Sequence, residues 1–115
     1  MRRGEIWWAS LPAPSGHGPG LRRPVLIVQA NAFNESRLGT VVVAALTGNL
    51  SREHAPGNVR LPPAESGLPK ASVVNVSQLL SVDRGYVTQR VAALPMAAMN
   101  RVDEGLRLVL NLPSQ

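Results

Sequence analysis

Proline and glycine, with ten residues of each among 115, are the feature that most restricts how this chain can fold. Most of them lie between apolar runs, and neither residue suits the interior of a helix or of a central strand. The runs are therefore short, and the pattern predicts strands joined by turns. Because 44% of the residues are apolar, the chain can form a core, and we expect a single domain over residues 1–115.

The apolar runs predict a series of strands followed by one helix. The strands are expected at 4–11, 24–30, 40–46, 58–61 and 71–82, with 87–94 as a further candidate. The helix is expected over residues 95–112, with Pro95 at its first position. Its apolar residues recur at helical spacing: Met99, Val102, Leu106, Val109 and Leu110. Five or six short strands with a C-terminal helix are typical of a mainly β fold, a small and strongly bent β-barrel.

Two long loops, at 12–23 and 47–57, separate the strands. Long loops inside a small domain are usually functional. If the strands at 24–30 and 40–46 pair antiparallel, the numbers of paired residues sum to about 70. Arg23 then lies opposite Thr47. The first loop ends at Arg23 and the second begins at Thr47, so both are rooted at the same end of the hairpin.

Charge and cysteine content narrow the possible partners. The net charge is +5, and eleven of the twelve basic residues are arginine, with Lys70 as the single lysine. The planar fork of arginine suits phosphate, so a nucleic acid fits this charge, although a GC-rich genome would give the same composition. The chain has no cysteine and no window approaching the roughly 18 apolar residues of a membrane helix. We expect a cytoplasmic protein with no metal, no cofactor and no membrane partner.

Several segments resemble one known family when taken in order. They are RRGEIWWASL, RRPVLIVQANAFN, TVVVAALT, VVNVSQLLSVDR and VDEGLRLVLNL. Their order and spacing, over nearly the whole chain, are similar to those of the MazF/PemK (Kid) family of toxin endoribonucleases. The resemblance implies an SH3-like barrel of the CcdB/PemK type with a C-terminal α-helix, acting as a homodimer. It also implies a cognate, MazE-like antitoxin whose disordered C-terminal tail covers the RNA groove.

The activity that the resemblance implies is metal-independent cleavage of single-stranded RNA, usually mRNA, at a short sequence. The 2′-hydroxyl attacks the adjacent phosphate and leaves a 2′,3′-cyclic phosphate and a 5′-hydroxyl. Arg23 matches the catalytic arginine of the family, and its fork can stabilise the charged phosphorane. Thr47 matches the family threonine that contacts the scissile phosphate. His17, which titrates near neutrality, is a candidate acid or base in the first loop.

Further residues match positions that contact RNA in the family or lie beside them: Arg22, Gly48, Asn75, Ser77 and Gln78. Kid-like members carry an Arg-x-Asp pair, proposed as acid and base, where this chain has Asn75 and Ser77. Neither residue can transfer a proton in that way, but at i and i+2 they share a strand face and can read base edges. Gly48 stands where many relatives have serine, which removes a hydroxyl. The identity of the acid and base therefore stays open.

The residues leave structural and functional alternatives open. Arg23 can be a solvated loop arginine, Thr47 a cap at a strand end, and His17 an exposed loop histidine. Trp7 and Trp8 lie on opposite faces of an extended strand, so one can belong to the core while the other stacks on bases. Two other functions remain: a CcdB-like toxin that binds gyrase without nuclease activity, and a non-catalytic RNA-binding barrel.

Overall fold

The computed structural model describes residues 1–11 and 21–113 and shows six strands and three α-helices within them. The strands are β1 (Glu5–Leu11), β2 (Leu21–Ile27), β3 (Thr40–Thr47), β4 (Val59–Leu61), β5 (Ser72–Asp83) and β6 (Val87–Ala93). The helices are α1 (Asn31–Asn34), α2 (Pro63–Ser66) and α3 (Met96–Leu110), with 3-10 turns at Leu50–His54 and Arg84–Tyr86.

All six strands form one antiparallel sheet in the order β4-β5-β3-β2-β1-β6. Side chains on its two faces form separate apolar clusters. The larger cluster contains Ile6, Leu26 and Leu46 and includes residues of α3, while the smaller one contains Val25, Ile27 and Val43. Trp8 packs against the larger cluster and Trp7 against the smaller one, as the strand alternation predicts. The predicted mainly β fold with a C-terminal helix is confirmed.

Strand β2 lies three residues closer to the N-terminus than the sequence suggests. Residues 21–23, predicted as loop, are paired with β1, where Ser10 lies opposite Arg22 and Ala9 opposite Arg23. Pro24 is inside the strand rather than at its start, opposite Trp8. The ladder to β3 begins only at Val25, so the missing amide proton of Pro24 costs no hydrogen bond on that side.

Strand β2 ends at Ile27 although the apolar run continues, because buried side-chain amides then form the hydrogen bonds. The backbone N–H groups of Val28 and Gln29 both donate to the carbonyl of Val42. The side chain of Gln29 then donates to Asn34 Oδ1 at 3.0 Å and accepts from the N–H of Val42 at 3.2 Å. These side-chain bonds replace the regular ladder, which is why the predicted strand 24–30 stops three residues early.

Helix α3 confirms the predicted element and corrects its two ends. Pro95 is the residue before the helix, not its first position. Val102 and Leu106 are buried as predicted, together with Ala98. Val109 and Leu110, predicted as core, are 41% and 50% exposed because the last turn lies outside the cluster that α3 covers. Among the described elements, no helix is long and apolar enough to span a membrane.

Glu5 ties β1 to the edge strand β6. Its carboxylate accepts from Arg90 Nε at 2.8 Å, from Trp7 Nε1 at 3.0 Å and from the N–H of Arg2 at 2.8 Å. Burial alone raises the pKa of Glu5, but these hydrogen bonds and the charge of Arg90 outweigh it and lower the pKa from 4.5 to about 2. The ionised form therefore favours the folded state.

We expect Glu5→Gln to lower the free energy of unfolding at pH 7 by roughly 2 to 3 kcal/mol. Because the pKa is lowered on folding, this stabilisation is present above pH 4.5 and is lost as the pH falls towards 2. Urea denaturation of both proteins between pH 7 and pH 2 measures the difference. Glu35→Gln, which removes an exposed ion pair with Arg2, is the control and should change little. A difference for Glu5→Gln that stays constant down to pH 2 would contradict the assignment.

Candidate functional site

The sheet opens between β2 and β3 at one end. The two strands pair only at Val25–Ala45, Leu26–Ala44 and Ile27–Val43, where the residue numbers sum to 70 as predicted. Beyond these pairs, β2 continues to Leu21 and β3 to Thr47 without pairing to each other. A cavity of about 490 Å³, called here the split cavity, lies at the opening. Its lining consists of Trp8, Arg23, Pro24, Leu46, Thr47, Gly48 and residues 68–72.

Arg23 stands between the split cavity and a second one. The second cavity, of about 630 Å³, is also lined by Ser77 and Gln78 and is called here the β5 groove. Arg23 is exposed, and its guanidinium makes no hydrogen bond or ion pair with any residue that the structure describes. As far as residues 1–11 and 21–113 are concerned, the group is therefore available to an anion in either cavity.

Arg22 points away from its neighbour because successive strand residues alternate between faces. Its guanidinium lies 4.2 Å from the centroid of the Trp8 ring and donates to Gln89 Oε1 at 2.9 Å. Arg22 thus holds the cavity-lining tryptophan, while Arg23 stays without a protein partner in the described ranges.

Thr47 is fixed by the turn that follows it. The N–H of Asn49 donates to Thr47 Oγ1 at 3.1 Å. Asn49 in turn caps the 3-10 turn at Leu50–His54 by accepting from the N–H of Ser51 at 3.2 Å and from its hydroxyl at 2.7 Å. Since Oγ1 accepts from the backbone, the threonine hydroxyl keeps its own proton to donate. Gly48 is next along the lining, and apart from its two chain neighbours no atom of residues 1–11 and 21–113 lies within 4 Å of where its side chain would start.

A bulge in β5 produces the β5 groove. Ala44 pairs with Leu79 and Ala45 with Asn75, so the three residues 76–78 have no partners on β3. Ser77 and Gln78 are consequently exposed and line the groove. Asn75, predicted to read bases beside Ser77, is only 6% exposed and lines neither cavity. Its Oδ1 accepts from the Ser77 hydroxyl at 2.8 Å and from the Ser77 N–H at 3.3 Å, so it supports Ser77 from below.

Two polar residues that line the split cavity were not predicted from the sequence. Lys70 lies in the segment that joins α2 to β5, and Ser72 is the first residue of β5; the sequence presents this region only as a turn and the start of a strand. Lys70 is the single lysine of the chain, but its position in the sequence does not indicate a cavity. His17 lies outside the described residues, so its predicted role is not tested.

The charged side chains that line the two cavities are basic in the part of the chain that the structure describes. Arg23 and Lys70 are the charged residues among the described lining, and no carboxylate lines either cavity there. Within residues 1–11 and 21–113, no three acidic or histidine side chains come together in a way that could hold a metal ion. The arrangement offers two cations, a hydroxyl donor and an aromatic wall, which suits a phosphate that carries a planar group.

Comparison with known proteins gives consistent matches over the whole fold. A family model described as PemK-like, MazF-like toxin of type II toxin-antitoxin system matches residues 2–110. Endoribonuclease MazF6 of Mycobacterium tuberculosis is 46% identical over 112 residues, which are 97% of this chain and 98% of that protein. Endoribonuclease EndoA of Bacillus subtilis is 30% identical over 112 residues, 97% of this chain and 96% of that protein. A solved mycobacterial endoribonuclease in complex with its cognate antitoxin superposes with a TM-score of 0.80 at 26% identity, covering 100% of this chain and 99% of that one.

Proposed function

The chain belongs to the family of PemK-like, MazF-like toxins of type II toxin–antitoxin systems and is an endoribonuclease, and we propose that it cleaves single-stranded RNA where the split cavity meets the β5 groove. The observation that carries this proposal is that Arg23 and Thr47 line one cavity, each with a donor free of described protein partners. A pure binding protein has no need of that pair. The alternatives of a gyrase-binding toxin and of a non-catalytic barrel are not favoured by these relatives.

The proposed reaction is an internal transfer at phosphorus. The 2′-oxygen forms a bond to the adjacent phosphorus, the bond from phosphorus to the 5′-oxygen breaks, and the products carry a 2′,3′-cyclic phosphate and a 5′-hydroxyl. The Arg23 guanidinium holds two phosphate oxygens as negative charge builds on them. The Thr47 hydroxyl donates to one of the same two non-bridging oxygens. No residue in this step uses a metal ion.

A base must take the proton of the 2′-hydroxyl, and an acid must give one to the leaving 5′-oxygen. Asn75 and Ser77, at the positions of the Kid-like acid–base pair, lack the required chemistry, and Asn75 is also buried. Arginine keeps its proton at neutral pH and is a poor acid. His17 therefore remains the proposed residue for proton transfer, because histidine as a residue type titrates near neutrality and the sequence places it in the first predicted loop.

The β5 groove is the proposed path of the flanking RNA. Ser77 and Gln78 present hydrogen-bonding groups there, and Gly48 leaves space beside Thr47 for the backbone. Arg22 adds positive charge on the other face of β2 and steers the strand by attraction to phosphates. The antitoxin complex of the structural relative supports a cognate antitoxin. We propose that it is MazE-like and that its C-terminal tail covers the same surface. We propose a homodimer that acts in the cytoplasm.

Cleavage of a long single-stranded RNA in EDTA tests the proposal. We expect products with 5′-hydroxyl and 2′,3′-cyclic phosphate ends at a recurring short sequence. The matched control is an oligonucleotide of that sequence with a single 2′-O-methyl group on the nucleotide that supplies the attacking oxygen, which should stay intact. RNA that remains uncut at excess protein, or cleavage that the 2′-O-methyl group does not block, would contradict the proposal.

A further inference from the structure

The split cavity contains groups that phosphate chemistry alone does not need. It has an aromatic wall, an apolar floor and a buried hydroxyl without a described partner. We propose that it is a nucleobase subsite, which receives the base of one nucleotide next to the scissile phosphate. Trp8 is the stacking surface, and Ser72 is a specificity-determining residue whose hydroxyl reads the edge of that base. This inference rests on the proposed function and adds to it the way in which one base is selected.

Ser72 provides the first argument. The residue is only 5% exposed, and its Oγ has no hydrogen-bond partner among the residues that the structure describes. The equally enclosed Ser66, by comparison, accepts from the N–H of Leu68 at 3.1 Å. A buried polar atom without a partner is uncommon in native proteins and costs stability, so such an atom calls for an explanation.

The direction of the Ser72 side chain gives the second argument. Along β5, Ser72 shares a strand face with Val74 and Val76, which belong to the larger apolar cluster. Leu46 and Leu68, from the same cluster, form the apolar floor of the split cavity. The hydroxyl is therefore on the cavity side of the sheet. It is enclosed in the free protein, so reading a bound base requires rotation about its single side-chain torsion towards the cavity.

Trp8 is already held in place for stacking. It is half-buried, packs on the larger cluster, and carries the Arg22 guanidinium 4.2 Å from its ring centroid. Gln89 fixes that guanidinium through a 2.9 Å hydrogen bond. Because the ring loses little freedom when a base arrives, stacking costs little entropy. Lys70, on the exposed rim, is placed to contact the phosphate of the same nucleotide.

In this subsite a base is selected by its hydrogen bond to Ser72 more than by its size. A cavity of about 490 Å³ that opens to solvent has room for a purine or a pyrimidine. The hydroxyl of Ser72 can donate or accept a hydrogen bond. The floor of the cavity is apolar, so it offers no other partner. A base that cannot pair with the hydroxyl therefore leaves buried polar groups without hydrogen bonds. We therefore expect one position of the cleavage sequence to depend on Ser72 and the others not to depend on it.

Mapping cleaved ends in a random RNA pool with the wild type and Ser72→Ala tests the specificity. The preference at one position next to the cut should fall roughly 5- to 30-fold in Ser72→Ala, with the other positions unchanged. The melting temperature should be equal to or above that of the wild type, because the variant removes a buried hydroxyl without a described partner. Ser36→Ala, in the turn after α1 and outside both cavities, should keep the wild-type profile. An unchanged preference at every position in Ser72→Ala overturns the proposal.

Tryptophan fluorescence tests the subsite without cleavage. In a Trp7→Phe background Trp8 is the only tryptophan, and binding of an uncleavable 2′-O-methyl RNA should quench its emission. Adding Ser72→Ala should weaken the difference in affinity between oligonucleotides that vary at the selected position. RNA that binds to saturation by anisotropy while Trp8 emission stays unchanged overturns the subsite. If quenching and selection occur but no RNA is cut, the proposed nuclease activity fails and the base subsite stands.

Discussion

Arg23→Ala should lower kcat/KM for RNA cleavage about a thousandfold, which corresponds to roughly 4 kcal/mol of transition-state stabilisation. The guanidinium is the cation shared by both cavities, and no described residue neutralises it. The loss should fall mainly on kcat, because the phosphorane carries more charge than the bound phosphate does. Single-turnover cleavage of a fluorescent oligonucleotide, together with its binding by anisotropy, separates the two effects.

Further measurements show whether a lower rate of Arg23→Ala could come from lost stability or from the loss of any positive charge. The side chain of Arg23 is exposed and only its backbone pairs with Ala9, so the melting temperature should stay at the wild-type value. Arg37→Ala, in the turn after α1, removes the same charge away from both cavities and should leave the rate unchanged. Arg23→Lys keeps the charge but not the fork, and should recover only part of the activity. A loss below fivefold for Arg23→Ala, or an equal loss for Arg37→Ala, would remove Arg23 from the mechanism.

The register that brings Arg23 near Thr47 could be predicted because it depends only on spacing. The midpoint of the connection between the two apolar runs, near Glu35, sets the sum of paired residue numbers, and the observed pairs follow it. The strand bounds could not be predicted in the same way. Pro24 has the sequence signature of a strand start, but its effect depends on which neighbouring strand needs its amide, and that is a property of the sheet.

The cavities themselves follow from irregularities that the sequence does not mark. Nothing in SVVNVSQLLSVD indicates that three of its residues leave the ladder, so the predicted face shared by Asn75 and Ser77 became a buried support and an exposed lining residue. The opening between β2 and β3 likewise depends on where β1 pairs with β2 and where β5 pairs with β3. Ser72 and Lys70 become cavity residues only through that split.

Gly105→Ala should lower the free energy of unfolding by about 3 kcal/mol and the melting temperature by roughly 10 °C, in spite of the better helix propensity of alanine. Gly105 lies in α3, where its backbone passes directly against that of Gly57. A methyl group at Gly105 would overlap the carbonyl oxygen of Gly57 and lie 3.2 Å from Val76 Cγ1. Gly57 has a φ of +85°. The space where a side chain of Gly57 would start is bordered closely by Val76 and by the backbone of Gly105, so Gly57 cannot readily move away.

The matched control is Gly85→Ala, where φ is not positive and no described atom beyond the two chain neighbours lies within 4 Å of the added carbon, so stability should stay near that of the wild type. Thermal and urea denaturation of the three proteins measures the difference. A Gly105→Ala protein as stable as the wild type would show that α3 can shift outward at no cost. The result also concerns the site, because Val76 belongs to the β5 bulge that exposes Ser77 and Gln78. If α3 is forced outward, the packing that supports this bulge loosens, and we expect the RNA-cleavage rate of the remaining folded protein to fall together with its stability.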